Sequence, residues 1–342
     1  MGERVPDKAQ PAIRHGGNLG RARQLFPRAP EPWIDLSTGI NPHSYPHSPI
    51  PASAFARLPE PGAVETLKDI AAAAFGAPSE AHIVAAPGTQ MLMPLLAQMA
   101  VGRGAERCGV LSPAYAEHAR TARMAGLSVS EVDDFADLAA FDYAVVINPN
   151  NPDGRVLERL ELLSLADAMR KKGGLLVVDE AFIETGYAES IADATTSHNL
   201  VVLRSFGKFY GMAGVRLGFA VAHPDTAGDI ESRLGPWAVS GPALHIAIEA
   251  LADDTWRHNM RTRLREDSRR LNDRLSAAGL SRFGGTSLFT LVRDERAPTL
   301  FTHLMENGIL TRSFDERPAD LRFGLPGEDA EWARLEAALA SF

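Results

Sequence analysis

The sequence has 342 residues and a single cysteine, Cys108. One thiol cannot close an intramolecular disulfide and supplies too few ligands for a cysteine-built metal site, so no metal is expected. The reducing cytoplasm is the expected home of such a chain. Lysine is scarce: Lys8, Lys68, Lys171, Lys172 and Lys208 are the whole set, and every other basic residue is arginine. Any amine chemistry is confined to those five positions. No run of about 18 apolar residues occurs without a charge, proline or glycine, so no transmembrane helix and no membrane partner are expected. The opening MGERVPDKAQPAIRHGG lacks the apolar core of a secretory signal. Positive charge is not in surplus either. The net charge is −8, which argues against a nucleic-acid partner.

What is present is ordinary globular material. Apolar residues make up 45% and charged residues 23%, so disorder is not expected away from the termini. The length suffices for one large domain and a smaller one. Residues 1 to about 60 are rich in Pro, Gly, Ser and His and show little periodicity, and they read as an arm and loops. From about 63 the chain alternates helical stretches (63–75, 89–101, 114–125, 156–172) with short apolar runs at 82–86, 107–111, 127–132, 143–147, 174–179, 201–205 and 217–222. Nearly continuous Val/Ile/Leu runs suit strands buried on both faces, hence a mostly parallel sheet between helix layers. After a boundary near 225–235 the pattern changes to helices, one of them long and Arg-rich. Three strand-like runs, SLFTLV, ILTRSF and DLRFGL, follow. A smaller α+β domain is expected there.

Four segments carry chemistry. In SFGKFYGMAGVRLGF (205–219), Lys208 directly follows a buried strand among small residues. Burial lowers an amine's pKa and exposes a nucleophile able to form an imine. Ser205 and Arg216 flank it, and a hydroxyl with a guanidinium fork suits a phosphate dianion. The plainer reading is a surface loop with one lysine. In VVDEAF (177–182), Asp179 ends a buried strand and needs a cation or strong donor. A protonated pyridine nitrogen is one such partner, and a helix cap or metal ligand are the alternatives. The turn INPNNPDG (147–154) follows a strand, where open α/β sheets bind ligands. Its Asn151 can donate to a phenolate, or the turn merely satisfies its own backbone. In AAPGTQ (85–90), Gly88 allows close backbone approach, and Thr89 and Gln90 begin a helix whose free N–H groups and dipole favour phosphate. A plain strand-to-helix turn is the alternative. Tyr115 can stack on a flat ring or belong to the core. Arg312 and Arg322 interrupt strand-like runs, which means either a buried anion partner or an edge strand with its charge in water.

In this order the segments resemble the class I/II pyridoxal-phosphate-dependent aminotransferases over roughly residues 35–335. The resemblance implies the type I fold of that family: a mostly parallel sheet sandwiched by helices, plus a smaller α+β domain. The expected division is an arm (1–40) joining the small domain, a large cofactor-binding domain (41–230) and a small domain (231–342). It implies that Lys208 holds pyridoxal 5'-phosphate covalently, Asp179 pairs with the pyridine nitrogen, Asn151 contacts the phenolic oxygen and Tyr115 stacks on the ring. Gly88, Thr89, Gln90, Ser205 and Arg216 hold the cofactor phosphate, and Arg322 matches the arginine that grips substrate carboxylate in typical transaminases. A homodimer is implied as well.

RHGGN (14–18) and DLSTGINP (35–42) are similar to the branch that decarboxylates threonine phosphate. The related branch that transaminates histidinol phosphate shares the PNNP and DEA segments. For a small phosphorylated amino-acid substrate, the first branch implies that His15, Asn41, Arg312 and Arg322 bind the phosphate end. Phe182 stands where many transaminases carry a tyrosine. One departure is RLPEP (57–61): Leu58 replaces a hydroxyl that reaches the cofactor phosphate of the neighbouring subunit.

Overall fold

A computed structural model describes residues 15–342; the first fourteen residues of the expected arm, with Lys8 and Arg14, lie outside that range. The strands are β1 (Ile34–Asp35), β2 (Ile83–Ala86), β3 (Arg107–Leu111), β4 (Ser128–Val132), β5 (Tyr143–Ile147), β6 (Leu175–Asp179), β7 (Leu200–Ser205), β8 (Gly218–Ala222), β9 (Arg282–Thr286), β10 (Phe289–Arg293), β11 (Ile309–Leu310), β12 (Arg312–Phe314) and β13 (Arg317–Gly324). A seven-stranded sheet runs β2-β8-β7-β6-β5-β3-β4. Neighbours from β7 to β4 are parallel, and β8 alone runs against the rest. The type I fold expected from the sequence is the one observed.

Every residue of β5, β6 and β8 is buried, because helices cover both faces. Alternation does the sorting. Val146, Val178 and Val202 face one apolar layer, and Val145, Val177 and Val201 face the other. Each such side chain contributes about 1.5–3 kcal/mol by leaving water.

The topology decides where chemistry can gather. β2, β3, β5, β6 and β7 all end at one edge of the sheet, and β8 starts there. The segments after β2, β5, β6 and β7, with Arg216 just before β8, therefore converge on that edge.

A second sheet, β12-β13-β10-β9, is antiparallel. It packs against the long helix Asp254–Ala277. β1 lies parallel to β11, pairing Ile34 with Ile309, so the segment before the large sheet is tied to the C-terminal part of the chain. Among the described residues no helix is long and apolar enough to cross a membrane.

Some local expectations shift. The stretch before residue 60 carries two short helices, Leu19–Leu25 and Ala52–Ala56. The helix expected from 114 starts at Glu117, since Ser112-Pro113 turns the chain first. That leaves Tyr115 outside the helix. The helix expected from 156 starts at Arg159, after Glu158 and Glu161 exchange side-chain and backbone hydrogen bonds as a capping box.

Candidate active site

At the convergent edge lies a cavity of about 700 Å³. Ten of the residues singled out from sequence line it: His15, Gly88, Thr89, Gln90, Tyr115, Asn151, Asp179, Ser205, Lys208 and Arg216. Asn41, Arg312 and Arg322 do not line it as it stands.

Lys208 sits in the single helical turn Phe206–Phe209 that follows β7. Burial pushes its amine down from 10.5 to about 8, with Arg322 and Arg216 adding repulsion and Asp179 opposing. Lys208 Nζ lies 5.9 Å from the centre of the Phe182 ring. The other described lysines are spent elsewhere. Lys68 pairs with Glu231, Lys171 with Asp167, and Lys172 donates to the Ala139 carbonyl.

The amine's position gives a pH prediction. The folded group titrates near 8 and the unfolded one near 10.5. The folded chain therefore binds fewer protons between those values, and this lysine's contribution to stability rises with pH across that window. The neutral amine should likewise be available well below its usual range. Capture of added pyridoxal phosphate by cofactor-free protein is expected to accelerate with pH and to level off above about pH 8. Stopped-flow absorbance checks it; a rate still climbing steeply at pH 10 would contradict the burial argument.

Asp179 ends β6 and is buried. One oxygen accepts from the Ala181 amide at 3.0 Å, and the other contacts His118 Nε2 at 2.8 Å. Sequence reasoning missed His118. It lies 61 positions from Asp179, and the signal was its place one helical turn after Tyr115. Tyr115 is held at the opening of that helix, with its hydroxyl donating to Gln90 Oε1 at 3.2 Å. Burial, then Glu117 and Asp179, push the phenol up to about 12, so it remains a donor. Gln90 in turn donates to Glu117, a buried carboxylate that sequence reasoning also missed.

The helix Thr89–Gly102 aims its N-terminus at the cavity, and no side chain caps it. Gly88 has φ +85°, and a Cβ there would stand 2.9 Å from Arg216 Nη2. Only glycine allows both the conformation and that approach. Arg216 itself has φ +56°. A non-glycine residue held there costs on the order of 1–3 kcal/mol, a cost that surrounding contacts must impose. Free amides, a helix dipole, Ser205 and this guanidinium make an anion cradle.

Behind the cavity, Arg322 is buried. It donates to Asn151 Oδ1 and, at 2.8 Å, to the Ser37 carbonyl. Its Nε has no hydrogen-bond partner among the described residues. Arg312 stands directly across from it, since the two are register partners of β12 and β13. Like charges placed opposite each other on a sheet repel, and burial with Arg312 pushes Arg322 down to about 9. The carboxylates of Glu316 and Asp315 act on Arg312 and that of Asp35 on Arg322, and an anion brought between the two guanidiniums would relieve their repulsion. The turn after β5 is held in place because Asn148 exchanges hydrogen bonds with the Leu157 backbone, and Asn150 donates to Asp153 and to the Pro113 carbonyl of the segment after β3. Gly154, at φ +72°, lies against Gly285 of β9, closer than any Cβ allows. Asn41 is buried; its side chain donates to the Phe209 carbonyl at 2.8 Å and accepts from the His43 amide. Its own amide donates to the Lys208 carbonyl at 2.9 Å.

The sequence model of the family described as aminotransferase class I and II matches residues 32–339. The chain belongs to that family. Its cofactor is pyridoxal phosphate. The residues present fit that group, with a readily deprotonated buried amine, a buried carboxylate and an uncapped helix N-terminus beside Arg216. The chain is 41% identical over 335 residues to a threonine-phosphate decarboxylase of Pseudomonas aeruginosa, covering 96% of this chain and 98% of the relative. It is 42% identical over 330 residues to one of Sinorhizobium sp, with the same coverage. Among solved structures, the histidinol-phosphate aminotransferase of Sinorhizobium meliloti in complex with pyridoxal-5'-phosphate superposes with a TM-score of 0.82. That alignment is 21% identical and covers 98% of this chain and 95% of the other, a likeness of fold.

Proposed function

We propose that the chain decarboxylates L-threonine O-3-phosphate to (R)-1-amino-2-propanol O-2-phosphate for cobalamin assembly, as a cytoplasmic homodimer. The observation that carries this reading is the pair of arginines, Arg312 and Arg322, facing each other across β12 and β13 close behind Lys208. The two relatives above 40% identity, both threonine-phosphate decarboxylases by name, support it.

Bound pyridoxal phosphate supplies an electron sink for the pair released when a bond at the substrate Cα breaks. Lys208 would hold the cofactor and then carry the proton delivered to Cα. Asp179, braced by His118, would hold the pyridine nitrogen, Asn151 the phenolic oxygen and Tyr115 a face of the ring. Gly88, Thr89, Gln90, Ser205 and Arg216 would take the cofactor phosphate. Which bond at Cα breaks would then depend on which end of the substrate the chain grips. With Arg312, Arg322 and His15 on the substrate phosphate, its carboxylate would be left ungripped. Asn41 holds the Lys208 segment from behind. Phe182 puts no hydroxyl into the cavity where many transaminases have one. On the outer surface, Leu58 and Phe55 are exposed apolar side chains that a homodimer would cover.

The test is release of labelled carbon dioxide from carboxyl-labelled L-threonine O-3-phosphate by the cofactor-loaded protein. Release at enzymatic rates is expected, with no conversion of the cofactor to its pyridoxamine form by glutamate. The opposite pattern would transfer the reading to a histidinol-phosphate-type aminotransferase.

A further inference from the structure

We propose that Glu117 is a positioning residue of this reaction, latching the N-terminal arm over the cavity and setting the Tyr115 ring through Gln90. The proposal rests on the reading above for what the cavity binds, but its geometry stands alone. Glu117 opens the helix Glu117–Met124, where the helix dipole favours a negative charge. It is 5% exposed, and both of its oxygens are committed. Oε1 meets His15 Nε2 at 3.3 Å, and Oε2 takes the Gln90 amide at 2.8 Å and Arg120 at 3.1 Å. Contacts from the arm, from the helix Thr89–Gly102 and from Glu117's own helix therefore end on one carboxylate.

Two consequences follow from what a carboxylate can and cannot do. It only accepts. Gln90 must therefore turn its NH₂ toward Glu117 and its carbonyl oxygen away, where the Tyr115 hydroxyl donates to it at 3.2 Å. A ring that would otherwise swing about its side-chain bonds is fixed at the far end. The second consequence concerns the arm. Gly17 donates its amide to Ser37 Oγ at 2.7 Å on one wall of the cavity, and His15 reaches Glu117 on the other. Residues 15–17 thus bridge the cavity between two anchors, and His15 and Gly16 form part of its lining. Ser37 is itself held by Asp35 at 2.5 Å, so that wall is fixed, and the Gly17 amide stays on it only while the half-exposed His15 holds the other end of the span at Glu117.

The test compares Glu117→Gln, His15→Asn and the double variant. In cofactor-free protein, hydrogen exchange at the Gly17 amide is expected to rise about tenfold in each single variant, the loss of one charge-assisted contact. The double variant should exchange no faster than either single one. In loaded protein, KM should rise about tenfold with either change, non-multiplicatively. The visible circular dichroism of the bound cofactor should change more with Glu117→Gln, which weakens the hold on Gln90 and on its hydrogen bond from Tyr115, than with His15→Asn, which removes a tilted ring contact of 6.1 Å to Tyr115. Unaltered Gly17 exchange in either single variant, or KM effects that multiply, would overturn the proposal. His15→Asn alters an exposed side chain and keeps the test valid if Glu117→Gln fails to fold. A failed carbon dioxide assay would leave the exchange results standing, so the two readings fail separately.

Discussion

Lys208→Ala is expected to reduce carbon dioxide release more than about 10⁴-fold, since one residue both anchors the cofactor and carries the proton. The size of the effect follows from what surrounds the amine. Burial and two nearby guanidiniums weaken its hold on a proton, and the other described lysines are engaged in surface pairs or backbone contacts. No described amine stands ready to replace it. Absorbance of the covalently held cofactor should vanish in the variant even when pyridoxal phosphate is bound in excess. A variant that keeps one per cent of the parent rate together with that absorbance would show that the chemistry belongs to another amine. Removing a buried lysine also removes a desolvated group, so the melting temperature is expected to hold or rise. Loss of activity then cannot be assigned to unfolding.

Asp179→Asn comes second in size, with an expected fall in kcat of about 10²–10³-fold at saturating cofactor. The substitution keeps shape and removes charge. A charge aimed at a site closed to water acts far more strongly than one in solvent, because little screens it. The same change breaks a second contact. His118 loses its carboxylate partner at 2.8 Å in a place where both side chains are buried. Cofactor-free protein should therefore lose about 1–3 kcal/mol of stability. Steady-state kinetics and thermal melts separate the two effects. An unchanged kcat with an intact cofactor spectrum would remove Asp179 from the chemistry and leave it a partner of His118 only.

Much of the site was legible in order along the chain. Lys208 stood out because it comes just after the strand-like run 201–205 in a chain with few lysines. Asp179 stood out because a carboxylate at the end of LLVVD has to be compensated. Gly88 was visible as the break between an apolar strand and a helix. These readings need only local chemistry, and the strand runs needed only period and composition.

His118 and Glu117 were not legible, although both stand within three residues of Tyr115. Their meaning comes from partners far away in sequence: Asp179 for one, Gln90 and His15 for the other. A helix expected from 114 would have spread those residues around a cylinder; starting it at Glu117 freed Tyr115 and gave the carboxylate the first helical position. The two arginines show the same limit. Sequence marked each as a charge in an apolar run, with water or an anion as its partner. The β12–β13 register placed them opposite each other, and the contact with Asn151 buried one of them 171 positions away.

The alternation of strand and helix, hence a family of folds, and the residue types able to do amine and phosphate chemistry can be read along the chain. These depend on near neighbours, whose spacing the chain's own geometry sets. Which of those residues share a cavity was decided by the tertiary structure alone. A parallel sheet gathers the ends of β2, β5, β6 and β7 at one edge whatever their separation in the chain, and the energy of a buried charge depends on what has been brought beside it.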